Sequence, residues 1–219
     1  MIRLLFYRGA VMSDDDWKQR NSNDAMKLRA MNGLNAECIQ SYDEMNKKRG
    51  EQWGASRSVS LSTVGEKVYS LIVVGSKTVD LKARILGATG AGVIGRAYLI
   101  QPSDVTVNPA NADPWYNFRT SFKGTQPETK LYAGNNITFV TPVASLAVSA
   151  NKVFADLFAI TSTQNQAKGV IPRGFGGNNI LEPSDHLLLE IESFDATQTA
   201  VASLEMFEGD LDYPNDDGL

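Results

Sequence analysis

The rhythm of hydrophobic and polar positions changes once along the chain, close to Gly50. Beyond that point the period is two. In residues 185–209, Leu187, Leu189 and Ile191 alternate with Glu190 and Glu192; Ala200, Ala202, Leu204 and Met206 then stand opposite Ser203 and Glu205. Such alternation predicts two half-buried strands, and the short polar link between them predicts an antiparallel hairpin. A hairpin is not stable alone in water, so the preceding chain must supply sheets for it to pack against.

That preceding chain has the same grammar. Residues 59–63 predict a first strand. Residues 67–74 are apolar on both faces, which predicts a central strand covered on both sides. Residues 78–86 alternate, with Val79, Leu81, Ala83 and Ile85 against Asp80, Lys82 and Arg84. A further strand spans 93–100 and stops at Pro102. Residues 103–114, rich in Asn, Asp and Pro, predict a surface loop. Residues 115–122 place Tyr116, Phe118 and Phe122 on one side, as a core face. An Ala133-Gly134-Asn135 turn between 129–133 and 136–141 predicts another hairpin. Residues 153–161 predict a strand, and the Gly-rich residues 163–183 an extended loop or crossover. The fold class is therefore mainly β: an antiparallel β-sandwich or jelly roll, residues 58–212, preceded by an N-terminal helical segment and followed by an acidic tail, 213–219.

Before Gly50 the spacing is helical. Ser13 and Asp16 form a capping pair, residues 21–24 predict a break, and a longer helix is expected over 25–48, closing on Lys47, Lys48 and Arg49. On it Leu28, Met31, Asn35, Cys38, Tyr42 and Met45 recur at intervals of three and four, a heptad seam with one polar member. Two readings fit: an amphipathic helix lying on the β domain, or a self-associating helix, dimer or trimer, with Asn35 setting register. Residues 1–50 are thus read as an arm and an oligomerisation or attachment segment, and 50–57 as the boundary. Met12 is a second possible start, so residues 1–11 are an arm or an upstream extension.

Composition narrows the function classes. With 219 residues there is enough chain for a genuine core without disulfide staples, and the single cysteine, Cys38, cannot form an internal bridge. A net charge of −4 without a basic block disfavours direct nucleic-acid binding. The apolar run at 4–7 is closed by Arg8, too short for a signal-peptide core, and no run approaches the ~18 residues of a membrane span.

Candidate chemistry is sparse. Gly90-x-Gly92-x-x-Gly95 matches the letters of a dinucleotide fingerprint, but the β-prone run that follows reaches Pro102 without room for the required helix, so no cofactor is expected. His186, the one histidine, has no cysteine or second histidine to build a zinc site, and no Gly-x-Ser-x-Gly elbow accompanies it. Glu190 and Glu192 share a strand face and Glu205 could join them, as an acid–base pair or a calcium site; the plainer reading is the solvated face of a sheet edge. Trp115 and Tyr116 could offer a sugar-stacking platform. No catalytic residue and no metal site is expected.

The run Asn179-Ile-Leu-Glu-Pro-Ser-Asp-His-Leu-Leu-Leu-Glu-Ile-Glu-Ser193, with Leu204-Glu-Met-Phe-Glu-Gly209, resembles the β domains of tailed-bacteriophage virion proteins of the head-fibre or capsid-decoration type. The resemblance covers about forty residues. It implies a non-enzymatic structural component of a particle, made in the host cytoplasm and resident in the virion. Its partners would be further copies of itself and other virion proteins such as a capsid protein. The alternative is a carbohydrate- or receptor-binding module of a virion or cell surface.

Overall fold

In the computed structural model the structure describes residues 24–31, 34–41, 47, 50–121, 125–160, 173–174 and 180–209. Strands β3 (Gln52–Leu61), β4 (Lys67–Val73), β5 (Thr78–Ala88) and β6 (Gly92–Ile100) follow one another, and β14 (His186–Ser193) and β15 (Gln198–Gly209) close the series. Between them lie β7 (Val105–Val107), β8 (Tyr116–Asn117), β9 (Lys130–Ala133), β10 (Ile137–Phe139), β11 (Leu157–Ile160), β12 (Arg173–Gly174) and β13 (Ile180–Leu181). Two antiparallel sheets result, with strand orders β11-β6-β14-β4-β9 and β12-β5-β15-β3-β8; β13 also pairs with β5. The mainly β, sandwich-like architecture matches the alternation in the sequence.

The connection of β14 to β15 differs from the expected hairpin. The two strands lie in different sheets, and each is central in its own. β14 is flanked by β4 and β6, and β15 by β3 and β5. The reason lies in the apolar faces: Leu187 on β14 and Met206 on β15 belong to one buried cluster between the sheets. A hairpin would set those faces side by side and leave both exposed, whereas an arch turns them toward each other. The links β3–β4 and β5–β6 cross between the sheets in the same way. The C-terminal arch is thus inserted between two earlier arches.

Three clusters form the core. Ile72, Ala97 and Leu187 meet Leu81, Met206 and Trp53 in the first, and Val93 and Leu157 meet Leu61, Leu86 and Ala200 in the second. The third lies on the opposite face of the β14 sheet. There Leu71, Tyr98, Tyr132 and Leu188 are covered by Val105 and Ile137, on the paired strands β7 and β10, and by Leu146 in the helical turn Val143–Leu146. The face expected to be solvated is therefore largely roofed.

Three further expectations are corrected. Residues 24–31 and 34–41 of the expected helix region are strands: β1 (Asp24–Met31) and β2 (Leu34–Ser41) pair antiparallel, with Met31 opposite Leu34, and of the rest up to 48 only Lys47 is described, as helical. The two residues between them, Asn32-Gly33, are the dipeptide that two-residue hairpins favour, and Gly33 disfavours a helix interior. Four of the six seam residues therefore lie on strands: Leu28 and Met31 belong to β1, Asn35 and Cys38 to β2. Tyr42 and Met45 lie outside the described residues, as do the arm 1–11, the capping pair at 13–16, most of 163–183 and the tail 213–219. Next, β9 and β10 do not form a hairpin; Gly134–Asn136 is a 3-10 turn, after which β10 pairs with β7 while β9 pairs with β4. Lastly, β3 already begins at Gln52, so part of the expected boundary is a strand, with Trp53 and Ala55 in the core.

A register shift also changes which β5 residues face inward. Opposite Glu205 and Met206, β5 contributes Ala83 and Leu81, so Lys82 is an extra residue. Such a bulge reverses the phase of every later side chain. Val79 and Leu81 are buried as expected, but beyond the bulge Arg84, Leu86 and Ala88 are buried in place of Ala83 and Ile85.

Candidate functional site

Pairing fixes which ends of the strands share a pole. Gln52 at the start of β3 stands opposite Phe207 near the end of β15, so the chain enters and leaves the sandwich at one end. At the other end Leu61 stands opposite Gln198, and the three arches 62–66, 89–91 and 194–197 come together. They are tied to one another. The Gly65 amide donates to the Ser193 carbonyl (2.8 Å), and the Phe194 amide to the Gly92 carbonyl (2.9 Å). The Ala91 amide donates to Asp195 Oδ2 (3.0 Å), and Gln198 Nε2 donates both to the Gly92 carbonyl (2.8 Å) and to Ser193 Oγ. Gly90 packs closely here, since a Cβ would lie 2.7 Å from Gln198 Oε1. Val64 and Phe194 are exposed on neighbouring arches. Hydrogen bonds between loops make this pole a preformed surface.

The glycine motif belongs to this pole. Gly92 has φ of 134° and opens β6, which runs on as strand to Ile100. A strand turns its amides toward neighbouring strands, so the motif offers no helix N-terminus to a phosphate. It serves the arch.

Below the pole, on the roofed face of the β14 sheet, Glu190 is 1% exposed. The register sets it between Tyr69 and Arg96. Arg96 Nη1 donates to Glu190 Oε1 (2.7 Å) and Glu192 Oε2 (2.5 Å), Lys67 Nζ lies 3.3 Å from Glu190 Oε2, and the Tyr69 hydroxyl donates to that oxygen at 3.1 Å. Arg96 Nε also lies 3.9 Å from Asp156 Oδ2, and Lys152 pairs with Asp156. Burial, then the nearby Glu190 charge, pushes the Tyr69 phenol well above its ordinary pKa, so it stays a donor. Burial opposes the Arg96 charge, but hydrogen bonds to Glu192 and Glu190 outweigh it and raise the guanidinium's pKa.

The Glu192 carboxyl is held below its ordinary value of 4.5, chiefly by the Arg96 hydrogen bond, against the opposing effect of burial. A carboxylate lowered in the folded state stabilises the fold above its unfolded pKa, and that contribution is lost as pH falls through the lowered value. Urea unfolding at stepped pH should therefore lose stability below about pH 4.5, and Glu192→Gln should flatten that acid limb. An unchanged limb in the variant would show that Glu192 carries none of it.

The other candidates are dispersed. Glu205 lies on β15, in the opposite sheet from Glu190 and Glu192, and receives a long bond from Gln52 Nε2 (3.4 Å). The three carboxylates do not form one site. His186 Nδ1 stands 3.0 Å from the Ser184 carbonyl at the start of β14. Trp115 is 3% exposed and donates its Nε1–H to the Thr129 carbonyl (3.0 Å), whereas Tyr116 is 45% exposed. The expected inward face is thus reversed at this pair, and only Tyr116 is presented to solvent. Its ring lies over Gly54, where a Cβ would come within 2.6 Å of the hydroxyl, and meets Phe118 edge to face at 5.5 Å.

Residues the sequence did not single out are Tyr69, Arg96 and the two inward arginines, Arg57 and Arg84. One signal was available. Arg57 falls at an inward position between Ala55 and Val59, a charged residue in an otherwise apolar row.

Among the described residues no group of three or more His, Cys, Asp or Glu side chains is placed to hold a metal ion, and no helix is long and apolar enough to cross a membrane. Comparison with family models, with curated proteins and with solved structures gives no match.

Proposed function

We propose that the chain is a non-enzymatic structural component of a phage particle, of the capsid-decoration or head-fibre kind, attached through its N-terminal segment and displaying the β domain. The observation that carries this reading is the pairing of Gln52 with Phe207. It brings both ends of the sandwich to one pole and leaves the bonded arches at the other, the layout a displayed domain requires. The closed charge network around Glu190 fits a scaffold better than a reacting centre, because the carboxylate's oxygens are already engaged by Arg96, Lys67 and Tyr69. The resemblance at residues 179–193 and 204–209 supplies the particle. Many copies on a shell would let individually weak attachments suffice.

Fractionation of the producing cells tests the proposal. The full chain should sediment with assembled particles, and deletion of residues 1–49 should release a folded sandwich into the supernatant. A full chain that stays free of particles, or a deletion that changes nothing, contradicts it. Light scattering adds a second check, since the full chain should have the mass of two or three copies, and the mass of one copy would contradict self-association.

A further inference from the structure

A cavity of about 80 Å³ lies between the two sheets. Small residues are among its lining, Ala55 on β3, Ala202 on β15 and Gly95 on β6. Its walls are mostly apolar, with Leu86, Leu157 and Leu189 among them. At roughly 10–15 Å³ for each water-sized group, it has room for about six such groups.

Three arginines line this space, Arg57, Arg84 and Arg96, together with Glu190, which Arg96 pairs with. Arg84 is 7% exposed, brought inward by the bulge at Lys82, and stacks 4.6 Å from the centre of the Phe154 ring. Arg57 reaches from β3 toward β4, where Nη1 donates to the Tyr69 carbonyl (3.2 Å) and to Ser70 Oγ (3.0 Å). Both bonds use the same nitrogen. Toward the described residues the Nε and Nη2 edge of Arg57 is unused, and no carboxylate of the described residues pairs with it. That edge is the planar fork that binds a carboxylate through two parallel hydrogen bonds. A cation on the wall of an apolar space is costly unless an anion meets it.

We propose that the cavity between the sheets binds a short-chain carboxylate, its head on Arg57 and its tail of about five carbons along Leu189, Leu157 and Leu86. Charge complementarity selects an anion over a neutral or cationic amphiphile, and the planar fork selects a carboxylate. The proposal is independent of the assembly reading, and either can fail without the other.

Hexanoate is the probe. Titrated into the full-length protein with ¹³C-labelled leucine methyls, it should shift Leu157 and Leu189 saturably. Arg57→Gln should weaken binding at least tenfold, and Arg57→Lys, which keeps the charge without the fork, should fall between. On the wild-type protein hexan-1-ol should bind at least tenfold more weakly than hexanoate, a comparison that holds even if the Arg57 variants do not fold. Absence of methyl shifts at about 10 mM hexanoate, equal affinity for hexan-1-ol, or indifference to Arg57→Gln in a folded protein would overturn the proposal.

Discussion

Glu190→Gln should cost about 3–5 kcal/mol of folding stability, the range found when one partner of a buried ion pair is removed. The side chain is fully buried, yet three neighbours direct donors at it: Arg96, Lys67 and the Tyr69 hydroxyl. A neutral amide keeps the shape but removes one of the guanidinium's two close counter-charges, leaving Glu192, and it turns an acceptor into a donor facing donors. For a chain of this size that loss corresponds to a drop of roughly 6–20 °C in melting temperature. Arg96→Met alone should also be strongly destabilising. The double variant should lose clearly less than the two single losses added, because removing both charges leaves neither stranded. Calorimetry of the four proteins checks this. Additive losses would mean that the pair is not coupled.

Leu188→Ala should be as damaging as Leu187→Ala, each costing about 2–5 kcal/mol. Both residues are fully buried on β14, but they point to opposite faces of the sheet. Leu187 packs between the sheets, where a core is unremarkable. Leu188 packs against Leu71, Tyr98 and Tyr132 under the roof made by β7, β10 and the turn at Val143–Leu146. If that outer face were solvated, Leu188→Ala would cost little. Urea denaturation of the two variants separates the cases, and a Leu188 loss below about 1 kcal/mol would remove the second core from the account.

The continuous run Leu187-Leu188-Leu189 does carry the signature of a strand buried on both faces, as residues 67–74 do for β4. The sheet class, most strand positions and the inward row of β14 were likewise readable, because alternation reports a buried face directly. What alternation does not report is the partner. A polar link of a few residues joins either two neighbours in one sheet or two strands across a sandwich, and both choices bury the same rows. The arch at 194–197 was therefore invisible. The Glu190 network was hidden for the same reason, since Tyr69, Arg96 and Glu190 are far apart in the chain and meet only through the register of three strands. Arg84 was assigned to the wrong face because one extra residue at Lys82 reverses the phase. At the N-terminus the intervals of three and four among Leu28, Met31, Asn35 and Cys38 competed with Asn32-Gly33, and the turn signal, which acts locally, took precedence.

The most direct test of the architecture is the set of backbone nuclear Overhauser contacts from β14 in the full chain. The crossed-sheet arrangement predicts that Leu188 contacts Leu71 on one side and Tyr98 on the other, while Ala202 contacts Arg57 and Leu86. Main-chain contacts between Glu192 and Thr199, or between Ile191 and Ala200, would place β14 beside β15 in one sheet and contradict the account.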